Sequence, residues 1–117
     1  MKEYRCTFNF CDWKEFEKYL DSLENDDAAS LLAKISKIEE YGIIISLKEK
    51  WIKRIAGFDG LYEIRSRHGN NIQRVIYFSI GNNDYMVTHG FTKKSQKVPL
   101  KEIKKAQLRK QKYFESI

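Results

Sequence analysis

The sequence predicts an α+β protein made of an N-terminal strand, a helix hairpin packed on a sheet, and a C-terminal helix. Two observations support this fold class. Apolar residues recur at helical spacing between positions 13 and 38, and three strand-like segments separated by turn residues fill positions 61–91. The chain has 117 residues, the length of one domain, so we expect a single domain over residues 1–117.

The N-terminal region predicts a strand over residues 4–10 and then two helices. Asp12 begins the first helix, and Glu15 follows three residues later, as in a capping box. The turn-forming run at residues 25–27 separates the two helices, and Gly42 is expected to end the second one. Both helices have an apolar stripe, which predicts a hairpin that packs on the sheet.

Residues 43–57 allow more than one interpretation. The run Ile43-Ile44-Ile45 is typical of either a strand or a buried turn. The segment that follows is either a basic–aromatic surface or a solvated stretch anchored in the core by Trp51. Its basic residues are Lys48, Lys50, Lys53 and Arg54.

Three consecutive strands follow as a meander. Residues 61–67 are expected to pair with residues 72–80 through a two-residue type II′ turn at Gly69-Asn70. A second turn at residues 81–84 leads into a strand over residues 85–91. Consecutive strands joined by short turns are antiparallel, so this part of the sheet is expected to be antiparallel.

The expected register of this meander places several basic side chains on the same face of the sheet. Arg65 is expected opposite Arg74, and His89 on the same face, next to Arg74 or one step away. The same register places Glu63 opposite Ile76, and Tyr62 opposite Tyr77 on the other face, where core packing is expected.

The C-terminal region predicts a loop and a final helix. Pro99 fits the first turn of that helix. The side chains expected to point inward are Leu100, Ile103, Ala106 and Phe114. The basic side chains expected to point elsewhere are Lys101, Lys104, Lys105, Arg109, Lys110 and Lys112.

Charge is distributed unevenly along the chain, whose formal net charge is +6. Residues 1–45 hold 6 basic and 10 acidic side chains, whereas residues 46–117 hold 16 basic and 6 acidic ones. A basic surplus concentrated in one region is typical of a nucleic-acid-binding surface, and a solvated lysine-rich helix is the alternative.

Several protein classes are not expected. No apolar run approaches the roughly 20 residues of a membrane span, and the N-terminus lacks the basic-then-apolar layout of a signal peptide. Cys6 and Cys11 fit neither a disulfide framework nor a zinc pattern, so we expect two reduced thiols in a cytoplasmic protein.

The predicted cationic face suits a phosphate ligand. Arg65 and Arg74 would repel each other across two strands, and Lys93, Lys94 and Lys97 follow at the same end of the sheet. An anion bound there would meet guanidinium forks and ammonium groups. We therefore expect these cations to bind RNA and to stabilise the charge that develops when a ribose 2′-hydroxyl attacks the adjacent phosphate.

Proton transfer in such a cleavage needs a titratable group. His89 is the candidate, and a strand histidine hydrogen-bonded inside the sheet is the alternative. Glu63 is expected to orient one arginine, whereas His68 is expected to be a turn residue. Tyr85 and Tyr113 are candidates for base stacking, with core packing as the alternative. No acidic cluster suggests a metal-dependent nuclease, so no cofactor or metal is expected.

These segments resemble the RelE/ParE superfamily of bacterial toxins, and in particular its phage-derived, HigB-like branch. The resemblance is strongest between residues 60 and 109. It rests on Leu-Tyr-Glu-Ile-Arg at 61–65, Arg-Val-Ile-Tyr-Phe at 74–78 and His-Gly-Phe-Thr-Lys-Lys at 89–94. Further matches lie at residues 96–99, at 102–103, and at Ala106 and Arg109.

The resemblance implies a helix hairpin on a curved, mostly antiparallel sheet and a metal-independent endoribonuclease that cleaves mRNA, typically on the translating ribosome. It also implies a cognate antitoxin, usually with a helix-turn-helix domain. The residues expected at the catalytic positions are Arg65, Arg74, His89, Lys93 and Lys94. Those expected to bind RNA are Lys97, Lys101, Lys104, Lys105 and Arg109.

The sequence departs from this family's pattern at two positions. Glu63 stands where some ribosome-dependent members have a basic residue, and Val98 where this branch often has a capping threonine, a cap that contributes about 1 kcal/mol. Two other functions stay open: inhibition of gyrase by protein contact, as in ParE-like toxins, and non-catalytic nucleic-acid binding by a phage-derived module.

Overall fold

One mostly antiparallel sheet organises the fold. The computed structural model describes residues 4–93 and 97–117. The strands are Thr7–Phe10 (β1), Ile52–Arg54 (β2), Tyr62–His68 (β3), Asn71–Gly81 (β4) and Asp84–Thr92 (β5). They form a five-stranded sheet with the strand order β1-β5-β4-β3-β2. β1 pairs parallel with β5, and the other neighbouring strands are antiparallel. The expected α+β fold class is therefore confirmed.

Three helices cover the two faces of this sheet. They are Trp13–Ser22 (α1), Asn25–Lys48 (α2) and Leu100–Glu115 (α3). α1 and α2 pack on one face, which we call the hairpin face, through a core that includes Phe16, Leu31 and Ile38. α3 packs on the opposite face, which we call the α3 face, through Ile103 and Ala106. None of the described helices is long and apolar enough to cross a membrane.

The start of α1 forms half of the expected capping box. The Asp12 side chain accepts a hydrogen bond from the Glu15 backbone N–H at 3.0 Å, which satisfies one free donor of the first turn. The Glu15 carboxylate turns away from this cap and instead binds side chains of α3. One residue therefore joins the start of α1 to the last helix.

α2 extends beyond its expected end. Gly42 does interrupt it, with a positive φ of 83°, but the helix resumes and continues to Lys48. The strand or buried turn expected at residues 43–45 is therefore wrong, and Ile44 is 83% exposed. A Cβ on residue 42 would lie 1.9 Å from the Tyr4 carbonyl oxygen, so only glycine fits there.

The meander has the expected β3–β4 register. Arg65 lies opposite Arg74, and Tyr62 lies opposite Tyr77. Gly69 has a positive φ of 64°, which the first turn position of a type II′ hairpin requires. Between β4 and β5 a bulge follows Ile76, which pairs with His89. His89 therefore lies on the face of Arg74, one step along, as expected.

The remaining expectations for the apolar residues had mixed outcomes. Ile103 and Ala106 of α3 are buried, as expected. Leu100 is 54% exposed and Phe114 is 44% exposed, so their assignment to the core is wrong. Trp51 is half-buried against the hairpin-face core, and the Lys37 ammonium lies 4.3 Å from its ring centroid.

Candidate functional site

The strand registers align polar side chains in rows across the α3 face. One row runs through Lys53, Glu63, Ile76 and His89. The neighbouring row runs through Arg65, Arg74 and Phe91. Side chains in adjacent rows of one face are neighbours, so β2, β3 and β4 bring an acidic residue and several basic residues together.

Glu63 is the acidic centre of this group. Its carboxylate is 2% exposed and accepts a hydrogen bond from the Arg65 Nε. The Arg74 Nη1 lies 3.9 Å from the same carboxylate oxygen, and the Arg74 side chain is fully buried. Burial lowers the pKa of Arg74, the Glu63 charge opposes that shift, and the nearby Arg65 charge adds to it. Glu63 thus offsets the repulsion that two facing arginines would produce.

A cleft of 280 Å³ opens beside this group at the β2–β3 edge of the sheet. Its basic lining consists of Lys53, Arg54, Arg65 and Lys97, and Glu63 is its acidic residue. Ile55, Phe58, Val98 and Ile103 supply an apolar wall. A cleft with such a basic rim and one neutralised acid is suited to an anionic ligand.

His89 lies away from the cleft lining and is 3% exposed. Its Nε2 lies 3.0 Å from the Glu102 Oε1 and its Nδ1 lies 3.0 Å from the Thr88 hydroxyl oxygen. Burial lowers the pKa of His89, against a hydrogen bond to Glu102 that raises it. Glu102 accepts from the Nε2–H of the ring, and the Thr88 hydroxyl beside Nδ1 donates to the Ile76 carbonyl at 3.2 Å. The geometry is that of a hydrogen-bonded strand histidine.

The lysines near the end of β5 lie at different places. The Lys93 backbone N–H donates to the Ile72 carbonyl at 3.2 Å, which continues the β4–β5 pairing. Lys93 follows Phe91 by two residues, so it lies on the same α3 face as Phe91. Lys97 is exposed and lines the cleft. Lys94 lies outside the described residues, so its predicted catalytic position stays a prediction.

The α3 residues that were expected to bind RNA divide into two sets. Lys101 and Lys104 are exposed. Lys105 and Arg109 bind the Glu15 carboxylate of α1 at 3.0 Å and 2.6 Å, and Arg109 also donates to the Thr88 carbonyl at 2.7 Å. Their charge is therefore partly used to join α1 to α3.

Comparison with known proteins places the chain in a family. The model of the phage-derived Gp49-like proteins (DUF891) matches residues 18–111. The chain is a Gp49-like protein. Among solved structures it is similar to a chain of the archaeal RelE–RelB complex from Pyrococcus horikoshii OT3, with a TM-score of 0.50 and 21% identity over 80% of this chain and 98% of that chain. None of the curated proteins matches it.

The family match confirms the phage-derived part of the resemblance. The structural similarity shows that the Gp49-like protein has the RelE-like fold. The departures seen in its sequence also have structural counterparts. Glu63 is buried between two arginines. α3 begins at Leu100, and its N-cap is Pro99 rather than Val98, with no side-chain hydrogen bond to the first turn.

The tyrosines considered for base stacking lie in core clusters. The Tyr85 ring lies 5.5 Å from that of Tyr77, and the Tyr113 ring lies 5.8 Å from that of Phe78. His68 is the last residue of β3, paired with Asn71, so its assignment to the turn is wrong. Its Nδ1 lies 2.9 Å from the buried Asp27 Oδ1. That contact joins the β3–β4 hairpin to α2, 41 positions away in the sequence.

Sequence reasoning left Lys53 and Arg54 out of the candidate site. In the Gp49-like structure both line the cleft with Arg65. Their signal was present in the basic residues around Trp51, but a strand of three residues is too short to show a period-2 pattern. In the described part of the chain, no group of three or more His, Cys, Asp or Glu side chains is arranged to hold a metal ion.

Proposed function

We propose that this Gp49-like protein is the toxin of a type II toxin–antitoxin pair and that it cleaves mRNA on the translating ribosome without a metal. The observation that carries the proposal is the basic cleft at the β2–β3 edge, backed by the buried Glu63–Arg74 pair. Family membership and the RelE-like fold support the toxin assignment.

The proposed reaction is a phosphoryl transfer within the RNA strand. The ribose 2′-oxygen loses its proton and bonds to the adjacent phosphorus, and the bond to the 5′-oxygen breaks as that oxygen takes up a proton. The products are a 2′,3′-cyclic phosphate and a 5′-hydroxyl end. The phosphorane between them carries additional negative charge, so fixed cations that contact its oxygens lower the barrier.

Arg65 is the residue to which we assign charge stabilisation. Its side chain is 27% exposed, lines the cleft and is held by the Glu63 carboxylate. Arg74 is fully buried and lies 3.9 Å from the Glu63 carboxylate, so we assign it to positioning that carboxylate rather than to direct contact with RNA. Lys93, Lys94, Lys97, Lys101 and Lys104 are assigned to phosphates along the strand.

The proton-transfer role of His89 stays a prediction. Direct contact between His89 and RNA requires the hydrogen bond to Glu102 to break, because that carboxylate occupies Nε2. The contacts of Lys105 and Arg109 with Glu15 likewise have to open before either cation is fully available to RNA.

The proposed partners are mRNA, the ribosome and a cognate antitoxin, and the proposed site of action is the cytoplasm. The structural neighbour is a chain from a RelE–RelB complex, which supports a protein partner for this chain as well. An adjacent reading frame for a small helix-turn-helix protein is the expected genetic context.

Primer extension on a reporter mRNA in a bacterial translation extract tests the activity. We expect discrete cuts with the wild-type protein and a loss of roughly 100- to 1000-fold for Arg65→Ala, since one preorganised charge-stabilising donor is worth about that much. Arg65→Lys retains the charge but not the planar fork and should fall between the two. Arg5→Ala, which removes an exposed arginine far from the cleft in sequence, is the matched control.

Other outcomes would identify another function. Cuts in RNA without ribosomes would mean a free ribonuclease. Intact mRNA together with DNA damage and an SOS response would favour the gyrase-inhibiting alternative. Salt-sensitive RNA or DNA binding without cleavage or growth inhibition would favour the non-catalytic module.

A further inference from the structure

Arg65 and Arg74 both lie beside the Glu63 carboxylate, so part of their positive charge is compensated before a phosphate binds. Both arginines lie within ion-pair distance of Glu63. Lys53 lies directly opposite Glu63 in the β2–β3 register, on the same sheet face. Lys53 is exposed and lines the same cleft as Arg65.

Lys53 makes no ion pair or side-chain hydrogen bond with any residue in the described ranges 4–93 and 97–117. The carboxylate that faces it across the strands already accepts from Arg65 and lies 3.9 Å from Arg74. An ammonium group at a cleft wall, beside an acid whose charge is already compensated, retains its attraction for an anion. In the row that runs through Lys53, Glu63 and His89, the Lys53 ammonium group is therefore available to bind an anion.

The position of β2 explains why this cation is placed at the cleft. β2 is the edge strand of the sheet and only three residues long, so the side chain of Lys53 has one neighbouring strand and open solvent on the other side. A lysine there also protects the edge from pairing with another chain. That protective role alone does not require the residue to face Glu63 or to line the cleft.

We propose that Lys53 contacts a phosphate of the RNA strand in the cleft, and that Glu63 is a positioning residue that directs Arg65 toward the same phosphate. This inference rests on the proposed function and adds a residue from β2 to its site. The ligand class is a phosphodiester of single-stranded RNA.

Single-turnover cleavage of a reporter mRNA on programmed ribosomes tests Lys53. We expect Lys53→Ala to cleave about 10- to 100-fold more slowly, since a hydrogen bond to a charged group is worth roughly that much. Lys53→Arg should restore most of the rate. Lys18→Ala removes an exposed lysine of α1 and should leave the rate unchanged. Thermal unfolding of all four proteins should coincide.

A binding measurement separates contact from chemistry. The probe is an mRNA with a 2′-O-methyl group at the cleavage position, which lacks the attacking hydroxyl but retains the phosphate. On programmed ribosomes, Lys53→Ala should bind this mRNA complex about tenfold or more weakly, whereas Lys18→Ala should bind like the wild type.

The two failures differ. If the wild type cleaves, Arg65→Ala does not, and Lys53→Ala matches Lys18→Ala in rate and affinity, the Lys53 assignment is overturned and the proposed function stands. If the wild-type protein itself produces no cuts, the proposed function fails first and the Lys53 assignment falls with it.

Discussion

The two faces of the sheet use the same strands for different purposes. On the hairpin face the inward side chains of β3, β4 and β5 include Ile64, Val75, Tyr77 and Val87, packed against α1 and α2. On the α3 face, alternate residues of the same strands include Glu63, Arg74 and His89, all buried. Since successive residues of a strand point to opposite faces, stability and a polar site can be encoded in one segment.

The extent of helix cover explains this difference. Two helices cover the hairpin face, whereas α3 alone covers the other and buries only Ile103 and Ala106 of its own residues. α3 leaves the β2–β3 edge open, and the cleft forms there. The buried charges of the α3 face thus lie between a closed apolar core and an open basic surface.

The largest effect on stability should come from Glu63, because it compensates a buried arginine. Glu63→Gln removes the carboxylate beside Arg74, and we expect a loss of about 3 kcal/mol in the free energy of unfolding. Glu63→Gln combined with Arg74→Met removes both charges at similar volume and should recover most of that loss. Urea unfolding of the three proteins measures both quantities.

A hairpin-face variant provides the comparison. Val75→Ala lies next to Arg74 in sequence but faces the apolar core, so its cost should come from a cavity. Adding Arg74→Met to Val75→Ala should bring no recovery. Equal recovery in both double variants would contradict a specific Glu63–Arg74 interaction.

A smaller effect should appear as a pH dependence of stability from His89. Burial, opposed by Glu102 and reinforced by the Lys105 charge, lowers the pKa of His89 in the folded protein. As the pH falls through about 6.5, the unfolded chain binds a proton at this residue before the folded protein does. Stability is therefore complete above this range and decreases below it.

His89→Gln removes this contribution to acid sensitivity. The difference in unfolding free energy between about pH 7.5 and pH 5.5 should be smaller in His89→Gln than in the wild type. His68→Gln is the control, because it leaves the contribution of His89 in place. Chemical unfolding at both pH values measures it. An unchanged difference in His89→Gln would show that other groups cause the acid sensitivity.

The sequence predicted the features that depend on local patterns. The β3–β4 register follows from the Gly69-Asn70 turn and from the alternation of apolar residues, and the structure has it. The common face of Arg65 and Arg74 follows from the same register, and the β4–β5 register adds His89 to that face. Short-range turn chemistry and a period of two are sufficient for both.

The features that sequence reasoning missed depend on contacts between distant segments. The close approach of the Tyr4 carbonyl to Gly42 and the hydrogen bond between His89 and Glu102 of α3 are two such contacts. The position of Lys53 opposite Glu63 depends on β2 pairing with β3. Because none of these contacts leaves a periodic signal near the residue concerned, the sequence placed the cations on one face but did not show which are buried.

The smallest effect on the free energy of unfolding should come from the buried Tyr77 hydroxyl on the hairpin face. The Tyr77 side chain is fully buried on the hairpin face, and its hydroxyl has no hydrogen-bond partner within the described part of the chain. Burial raises the pKa of Tyr77 well above its usual value, which reflects the same loss of solvation. Tyr77→Phe removes the buried hydroxyl and keeps the ring, so we expect a gain in stability of up to about 1 kcal/mol.

Tyr62→Phe is the matched control, because the Tyr62 ring stacks on that of Tyr77 at 5.4 Å but is only half-buried. Its stability should change by less than that of Tyr77→Phe. A loss of more than about 1 kcal/mol in Tyr77→Phe would mean that a buried water binds the hydroxyl. The hairpin face would then also contain a buried polar group with a hydrogen-bond partner. The two faces would differ only in that the α3 face buries charged side chains.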